Sequence, residues 1–281
     1  MIRQRQFFVT VLVLLVGLQS VSLAYYLREQ RVLAAYVGRV VGSGLPPSEK
    51  VKALVLSLKD KSGEGNDGYF LLPVFRFLRP TPLQVIENGG DCGDRSRLLI
   101  AMLRLRGIHA SKWALYNAEG ESKHAVVQAR VESGDMVADP LFGIWFPKTQ
   151  GGYYAISELR RDPGILQQRI EELRAKGLRP GAARLEFYEF NNYIYTNART
   201  INWNKSFIMK FAYRVLHAIL RGKADDIGRP ALVEEPPLMV IIGAAALELV
   251  LIFAWIILAR RRKQVLAKGH FSGQQALPEK E

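Results

Sequence analysis

The one cysteine among 281 residues, Cys92, is the side chain best suited to covalent chemistry, because a thiolate is the strongest nucleophile that ordinary side chains offer. Bringing an ordinary thiol from a pKa of about 8.5 to neutrality takes about 2 kcal/mol of differential stabilisation. In Asp91-Cys92-Gly93-Asp94-Arg95-Ser96 the cysteine directly precedes an apolar-periodic run, so it falls at the first position of a helix. There the aligned peptide dipoles give a nearby anion about 0.3–1 kcal/mol, which is short of the requirement. Asp91 and Asp94 oppose ionisation further unless the helix's free amides absorb their charge. The remainder calls for a cationic imidazole.

The chain has four histidines. His270 lies in a basic tail beyond the last apolar run, and His217 sits within an amphipathic stripe. His109 follows the Gly107 stop, roughly 25 Å along the helix from Cys92 at about 1.5 Å per residue, and cannot reach back. His124 opens a strand that can fold onto the helix start. Asp139 closes the following strand, where antiparallel pairing returns it to the beginning of the previous one, placed to accept the other ring N–H. An oxyanion would be held by the Cys92 backbone amide and one further donor, for which Asn88, Gln84 and Trp113 are the candidates. Ser96, one turn past Cys92, reads as a local hydrogen-bonding residue and not as a second nucleophile. No cofactor fingerprint, metal-ligand spacing or acidic calcium loop occurs, so no cofactor and no metal are expected.

These residues need elements to hold them. Leu98, Ala101, Met102 and Leu105 have the i, i+3, i+4, i+7 spacing of a buried helix face, predicting a helix over 91–106 with Asp91 as N-cap and Asp94 in a capping-box arrangement. Lys112–Tyr116, His124–Val131 and Met136–Asp139, separated by turn residues, predict a three-stranded antiparallel meander. In its second strand the more apolar face, Ala125, Val127, Ala129 and Val131, is opposite His124, which predicts that His124 is not deeply buried. Before the site, Ser48 is positioned to cap a helix over 49–60 with Val51, Leu54, Val55 and Leu58 inward, followed by a loop at 61–68 and extended chain from 71 to 82. After it, 157–177 reads as a helix broken near Asp162-Pro163-Gly164, and 185–203 is rich in aromatics and Asn. The stripe Phe207, Ile208, Phe211, Ala212, Val215, Leu216, Ile219 and Leu220 is expected to pack into a core, with a helix lying on the membrane surface as the alternative. The sequon at Asn204 is read as accidental.

Three blocks now stand together: Gly90-Asp91-Cys92-Gly93-Asp94-Arg95-Ser96 running through the helix to Gly107-Ile108, Lys123-His124-Ala125-Val126-Val127-Gln128-Ala129-Arg130-Val131, and Met136-Val137-Ala138-Asp139-Pro140. In order and spacing they resemble the transglutaminase-like superfamily over about residues 80–147. The resemblance implies an α+β, papain-like core, in which a Cys-bearing helix packs on an antiparallel sheet flanked by helices, and a Cys-His-Asp triad at Cys92, His124 and Asp139. Members of that superfamily act as transamidases, peptidases and amidases or serve as inactive binding modules, and the intact triad argues against the last. Amide hydrolysis of a peptide or protein is the first expectation, since water is abundant outside the cytoplasm and no dedicated amine acceptor is evident. Transamidation forming isopeptide cross-links is the enzymatic alternative, and a scaffold in an envelope or polysaccharide-assembly complex is the non-enzymatic one. The flanks 31–75 and 150–235 carry no family motif.

The composition is 49% hydrophobic and 23% charged, which excludes wholesale disorder, and the apolar residues concentrate at the two ends. Phe7–Leu27 and Leu238–Leu258 are each 21 residues long, the first without a charge and the second with Glu248 alone at its centre. Either is long enough for a bilayer core of about 30 Å. Arg3 and Arg5 precede the first and Arg260, Arg261, Arg262 and Lys263 follow the second, predicting cytoplasmic termini, an extracytoplasmic middle and a bacterial inner-membrane location. Met1–Ala24 also has the form of a signal peptide, and either reading exports the middle. A carboxylic acid at mid-bilayer must be protonated or paired, which points to Gln19 or to a membrane partner for Glu248. Residues 28–235 carry +8 of the net +13. On an exported face that favours anionic lipid, acidic glycan or acidic peptide, and nucleic acid is not expected. The expected organisation is an anchor or signal peptide at 1–30, a helical lead-in at 31–68, a transglutaminase-like core at 69–150, a helical and aromatic-rich extension at 151–235, a second transmembrane helix at 236–262 and a basic tail at 263–281.

Overall fold

The computed structural model describes residues 2–59, 70–71, 78–176, 194–201, 203, 207–221, 223–229 and 234–272. The expected loop at 61–68, residues 72–77 of the extended run 71–82 and the Asn204 sequon lie outside them. The chain divides into two compact units, Leu27–Pro236 and the paired ends Met1–Tyr26 and Pro237–Glu281.

In the unit formed by the ends, the long helices α1 (Ile2–Val40) and α8 (Pro236–Ser272) contribute their apolar stretches. Both are long and apolar enough to cross a membrane. The rings of Phe8 and Trp255 approach to 5.0 Å. Gln19 Nε2 and Glu248 Oε1 are each shielded and have no hydrogen-bond partner, so of the two partners considered for Glu248 the Gln19 amide N–H does not serve.

The larger unit is α+β. α1 continues into it with Leu33 and Val37 buried. Then come α2 (Pro47–Lys59), α3 (Pro82–Asn88), α4 (Cys92–Arg104), β1 (Ala110–Tyr116), β2 (Ser122–Val131), β3 (Gly134–Asp139), β4 (Ile144–Trp145), α5 (Ile156–Arg161), α6 (Gly164–Ala175), β5 (Ile194–Arg199), α7 (Phe207–Ile219) and a short 3-10 helix at Lys223–Asp226. The strands form one antiparallel sheet in the order β4-β3-β2-β1-β5. The meander expected from the sequence is its centre, extended by β4 on one edge and by β5 on the other.

Why these segments order as they do follows from two apolar clusters, one on each face of the sheet. On the first, Leu98, Leu99, Met102 and Leu103 of α4 pack with Val51, Leu54, Val55 and Leu58 of α2 against Val127, Ala129, Val131, Met136 and Ala138. Each fully buried Leu or Val contributes about 1.5–3 kcal/mol of transfer free energy. On the second, Trp113, Leu115, Val126 and Val137 meet Phe142, Phe146, Ile156, Leu159, Ile170 and Tyr195. Because this second layer covers the face that the alternation left less apolar, His124 is only 2% exposed, which corrects the expectation of a shallow histidine. The stripe of α7 is also corrected, since no residue of that helix is buried. Ser48 does not cap as expected; α2 starts at Pro47, and the Ser48 amide and hydroxyl both bond the Glu132 carboxylate.

Candidate active site

Cys92 opens α4 because Asp91 caps it, the Asp91 carboxylate accepting the Asp94 N–H at 2.8 Å. The approach to the cap needs two glycines. Gly89 closes α3 at φ 81°, a left-handed conformation that only glycine adopts without strain, and a Cβ on Gly90 would stand 2.7 Å from the Asp94 Cβ. Arg95, itself buried, donates from Nε to the Gly90 carbonyl at 3.0 Å and from Nη1 to the Leu58 carbonyl at 2.8 Å, fixing this turn to α2. The thiol-bearing residue is therefore half-buried at a helix start whose backbone is held from both sides.

The reciprocal half of the expected capping box is absent. The Asp94 side chain turns instead to Arg79, at 3.1 Å, and to Arg97. Arg79 also reaches Asp91, at 2.6 Å. Burial alone would raise the Asp91 pKa, but the Arg79 charge and the Asp94 amide outweigh it and hold the carboxyl below its usual value. Two carboxylates that would oppose a thiolate are thus matched by two guanidinium groups. Neither Arg79 nor Arg97 is among the residues expected from the sequence; Arg97 at i+3 from Asp94 is a legible helix pair, whereas Arg79 arrives from a segment with no periodic signal.

His124 lies within hydrogen-bonding reach of the Cys92 side chain. Its Nε2–H donates to Asp139 Oδ2 at 2.5 Å. Asp139 is fixed in turn, its Oδ1 accepting the Leu141 N–H at 2.9 Å and the Phe142 N–H at 3.1 Å. The Phe142 ring packs 5.2 Å from the imidazole. Burial by itself would lower the imidazole pKa, but the Asp139 charge and bond, with a smaller contribution from Cys92, raise it to about 10. The structure therefore brings Cys92, His124 and Asp139 into one line of contacts. His109 is exposed beyond α4, and His217 sits on α7 with its ring 5.3 Å from that of Tyr213.

Ser96 is local, as expected from the sequence: its hydroxyl donates to the Cys92 carbonyl at 2.7 Å and lies 3.3 Å from the Ala125 carbonyl, tying α4 to the strand residue after His124. Among the oxyanion candidates, Gln84 accepts the Thr81 N–H at 2.9 Å with its amide oxygen, within the capping box of α3. The Trp113 indole N–H donates to Ser111 Oγ at 3.1 Å, and Asn88 is exposed at the end of α3. Among the described residues no group of His, Cys, Asp and Glu has the arrangement of a metal site.

No family model matches the sequence, and no curated protein matches it. A solved structure from Parabacteroides distasonis ATCC 8503, named a "putative protease", aligns with 48% of this chain at 18% identity and a TM-score of 0.24. The chain spans only 30% of that protein's length, and a likeness so slight carries no argument.

Proposed function

We propose that this chain is a membrane-anchored cysteine hydrolase of the transglutaminase-like, papain-like class, cleaving amide bonds of a peptide or protein outside the cytoplasm. The observation that carries the reading is the run of contacts from the Cys92 thiol through the His124 ring to the buried Asp139 carboxylate.

An imidazole held cationic by Asp139 stabilises the Cys92 thiolate as an ion pair. The sulfur attacks the amide carbonyl carbon, forming a C–S bond, and the oxygen takes the electron pair. The free first-turn amide at Cys92 is placed to donate to that oxyanion. His124 protonates the nitrogen as the C–N bond breaks, releasing the amine and leaving an acyl thioester. Water then gives a proton to His124 as its oxygen attacks the thioester carbon, the C–S bond breaks, and the acid leaves while the thiolate–imidazolium pair returns. The intact line of contacts and the half-buried, reachable thiol are what favour an enzyme over a scaffold.

The test has two parts. Iodoacetamide should alkylate Cys92 in the native chain rapidly, and His124→Ala should slow that reaction to the rate of an ordinary half-buried thiol. Incubation with a peptide mixture in 18O-labelled water should then place one heavy oxygen in each new carboxylate. Products that carry an added primary amine and no heavy oxygen would replace hydrolysis with transamidation. A native Cys92 that resists alkylation would remove the catalytic reading altogether.

A further inference from the structure

Helix α7 presents an apolar face that the described residues leave exposed. At about 100° per residue, Phe207, Phe211, Val215, Ile208 and Ile219 fall in one arc of about 120°. All five are exposed, Phe207 at 84%, Ile208 at 75% and Ile219 at 68%. The neighbouring arc holds Lys210, Arg214 and His217, with Arg221 in the next turn, and no Asp or Glu occurs between Phe207 and Arg221. The remaining side is the one attached to the domain: the Tyr213 ring packs 5.6 Å from that of Trp203, and its hydroxyl donates to Asp225 at 3.3 Å. The helix is therefore fixed along one side, with the apolar arc turned away from that attachment and edged by cations.

That combination selects an occupant. Side chains such as Phe and Ile enter the boundary between headgroups and acyl chains, while Lys and Arg beside them meet phosphate, and both gains are available together only at an anionic bilayer surface. A second copy seated face to face would bring Lys210, Arg214 and Arg221 against their own equivalents. At 13 residues the helix is about 20 Å long, too short to cross a core of about 30 Å, so it would lie in the plane of the interface. A bilayer is also within the tether, because Pro236, where the second apolar helix begins, comes 17 residues after Ile219.

We propose that α7 is an interfacial helix that rests on the anionic surface of the membrane entered by α1 and α8, as a third attachment of the extracytoplasmic unit. It rests on the reading of those two helices as spans and is independent of the cysteine chemistry.

The full chain is tested in a Cys92→Ser background with a single reporter cysteine at Phe211→Cys, Val215→Cys or Ile208→Cys, and with Glu119→Cys in the exposed β1–β2 turn as reference. Each is labelled with an environment-sensitive fluorophore and reconstituted into nanodiscs of phosphatidylcholine alone or with phosphatidylglycerol added. Reporters on the arc are expected to be quenched by a lipid-borne nitroxide about threefold or more above the Glu119→Cys reference. The difference should grow with the anionic lipid and shrink when Lys210→Glu and Arg214→Glu are added. Equal iodide quenching at the arc and reference positions in both lipids would overturn the proposal. So would protection that depends on protein concentration in detergent and yields cross-linked dimers, which would assign the face to a second copy. Loss of the chain from the disc fraction would overturn the two spans themselves and is distinguishable from both results, and three reporter positions guard against one variant failing to fold.

Discussion

Replacing Asp139 by Asn isolates what the carboxylate does, because the change is nearly isosteric and leaves the backbone anchors in place. The substituted amide would keep an oxygen for the Leu141 and Phe142 N–H groups, so the turn that follows β3 should survive. Its NH2 then faces His124 Nε2, a donor opposite a donor, and the ring must present Nε2 as an acceptor and move its proton to Nδ1. The imidazole can no longer accept the thiol's proton. The charge changes as well. In the native protein the histidine, raised to about 10, is cationic at pH 7. Without the Asp139 charge, burial lowers it, with only the smaller contribution of Cys92 in opposition, so that a smaller share is cationic at the same pH. Loss of the orienting carboxylate in such a triad lowers turnover by about 10⁴-fold. The assay is second-order alkylation of Cys92 from pH 5 to 10, alongside circular dichroism to establish that the variant is folded. The native profile should hold its plateau until near pH 10 on the alkaline side, and Asp139→Asn should lose the plateau below pH 8. A folded Asp139→Asn protein with the native rate and profile would refute the assignment of tautomer and charge to Asp139.

Asp94→Asn should destabilise the domain by about 3–5 kcal/mol, because it removes the carboxylate bonded to the Arg97 guanidinium, 5% exposed, and leaves it only the charge of Glu234; urea unfolding should show the loss, and Asp94→Leu with Arg97→Met should recover much of it. Leu98→Ala, at a fully buried position between α2 and the sheet, should cost about 2–5 kcal/mol in the same measurement. The pH dependence of stability has a fixed sign at His124. Its folded pKa is raised above the unfolded value, so its contribution is complete below about 6.5 and is lost as pH rises from there toward about 10. The stability gap between the native chain and His124→Gln should accordingly be widest near pH 6 and narrow by pH 10, and a gap that widened with pH would contradict the charged pair.

The elements nearest Cys92 were legible because each carries its own period. Leu98, Ala101 and Met102 mark the inner face of α4 by spacing alone, and the alternation from Ala125 to Val131 marks β2. The boundaries of α5 and α6 follow from Asp162 and Pro163 in the same way. β5 was not legible. It pairs with β1 across about 80 residues of chain, and its own six residues, Ile194–Arg199, alternate too weakly to announce a strand. The burial of His124 failed for a related reason: the layer over its face is built from Phe142, Phe146, Ile156 and Leu159, which are distant in sequence from β2, so the strand's own alternation could not report it. The stripe on α7 shows the converse limit, since helical amphipathicity identifies an apolar face without identifying what covers it.

The electrostatics of the helix start show most clearly where residue types mislead without geometry. Counted by sequence, Asp91 and Asp94 place two negative charges within two residues of the thiol and make its ionisation appear costly. In the folded chain Asp91 gives one oxygen to the Asp94 amide and the other to Arg79, and Asp94 is shared between Arg79 and Arg97, so the four groups sum to about zero at short range. The acids then serve to build the helix start that carries Cys92, and the arginines remove the electrostatic penalty of building it with acids. Beside the sulfur stands the His124 ring, its pKa raised by a carboxylate that is itself fixed by two backbone amides. A well-capped helix start and the thiolate that the proposed chemistry requires conflict in the sequence and are reconciled only by side chains that the tertiary fold delivers, which is why residue order singles out Cys92, His124 and Asp139 without showing the charge balance around them.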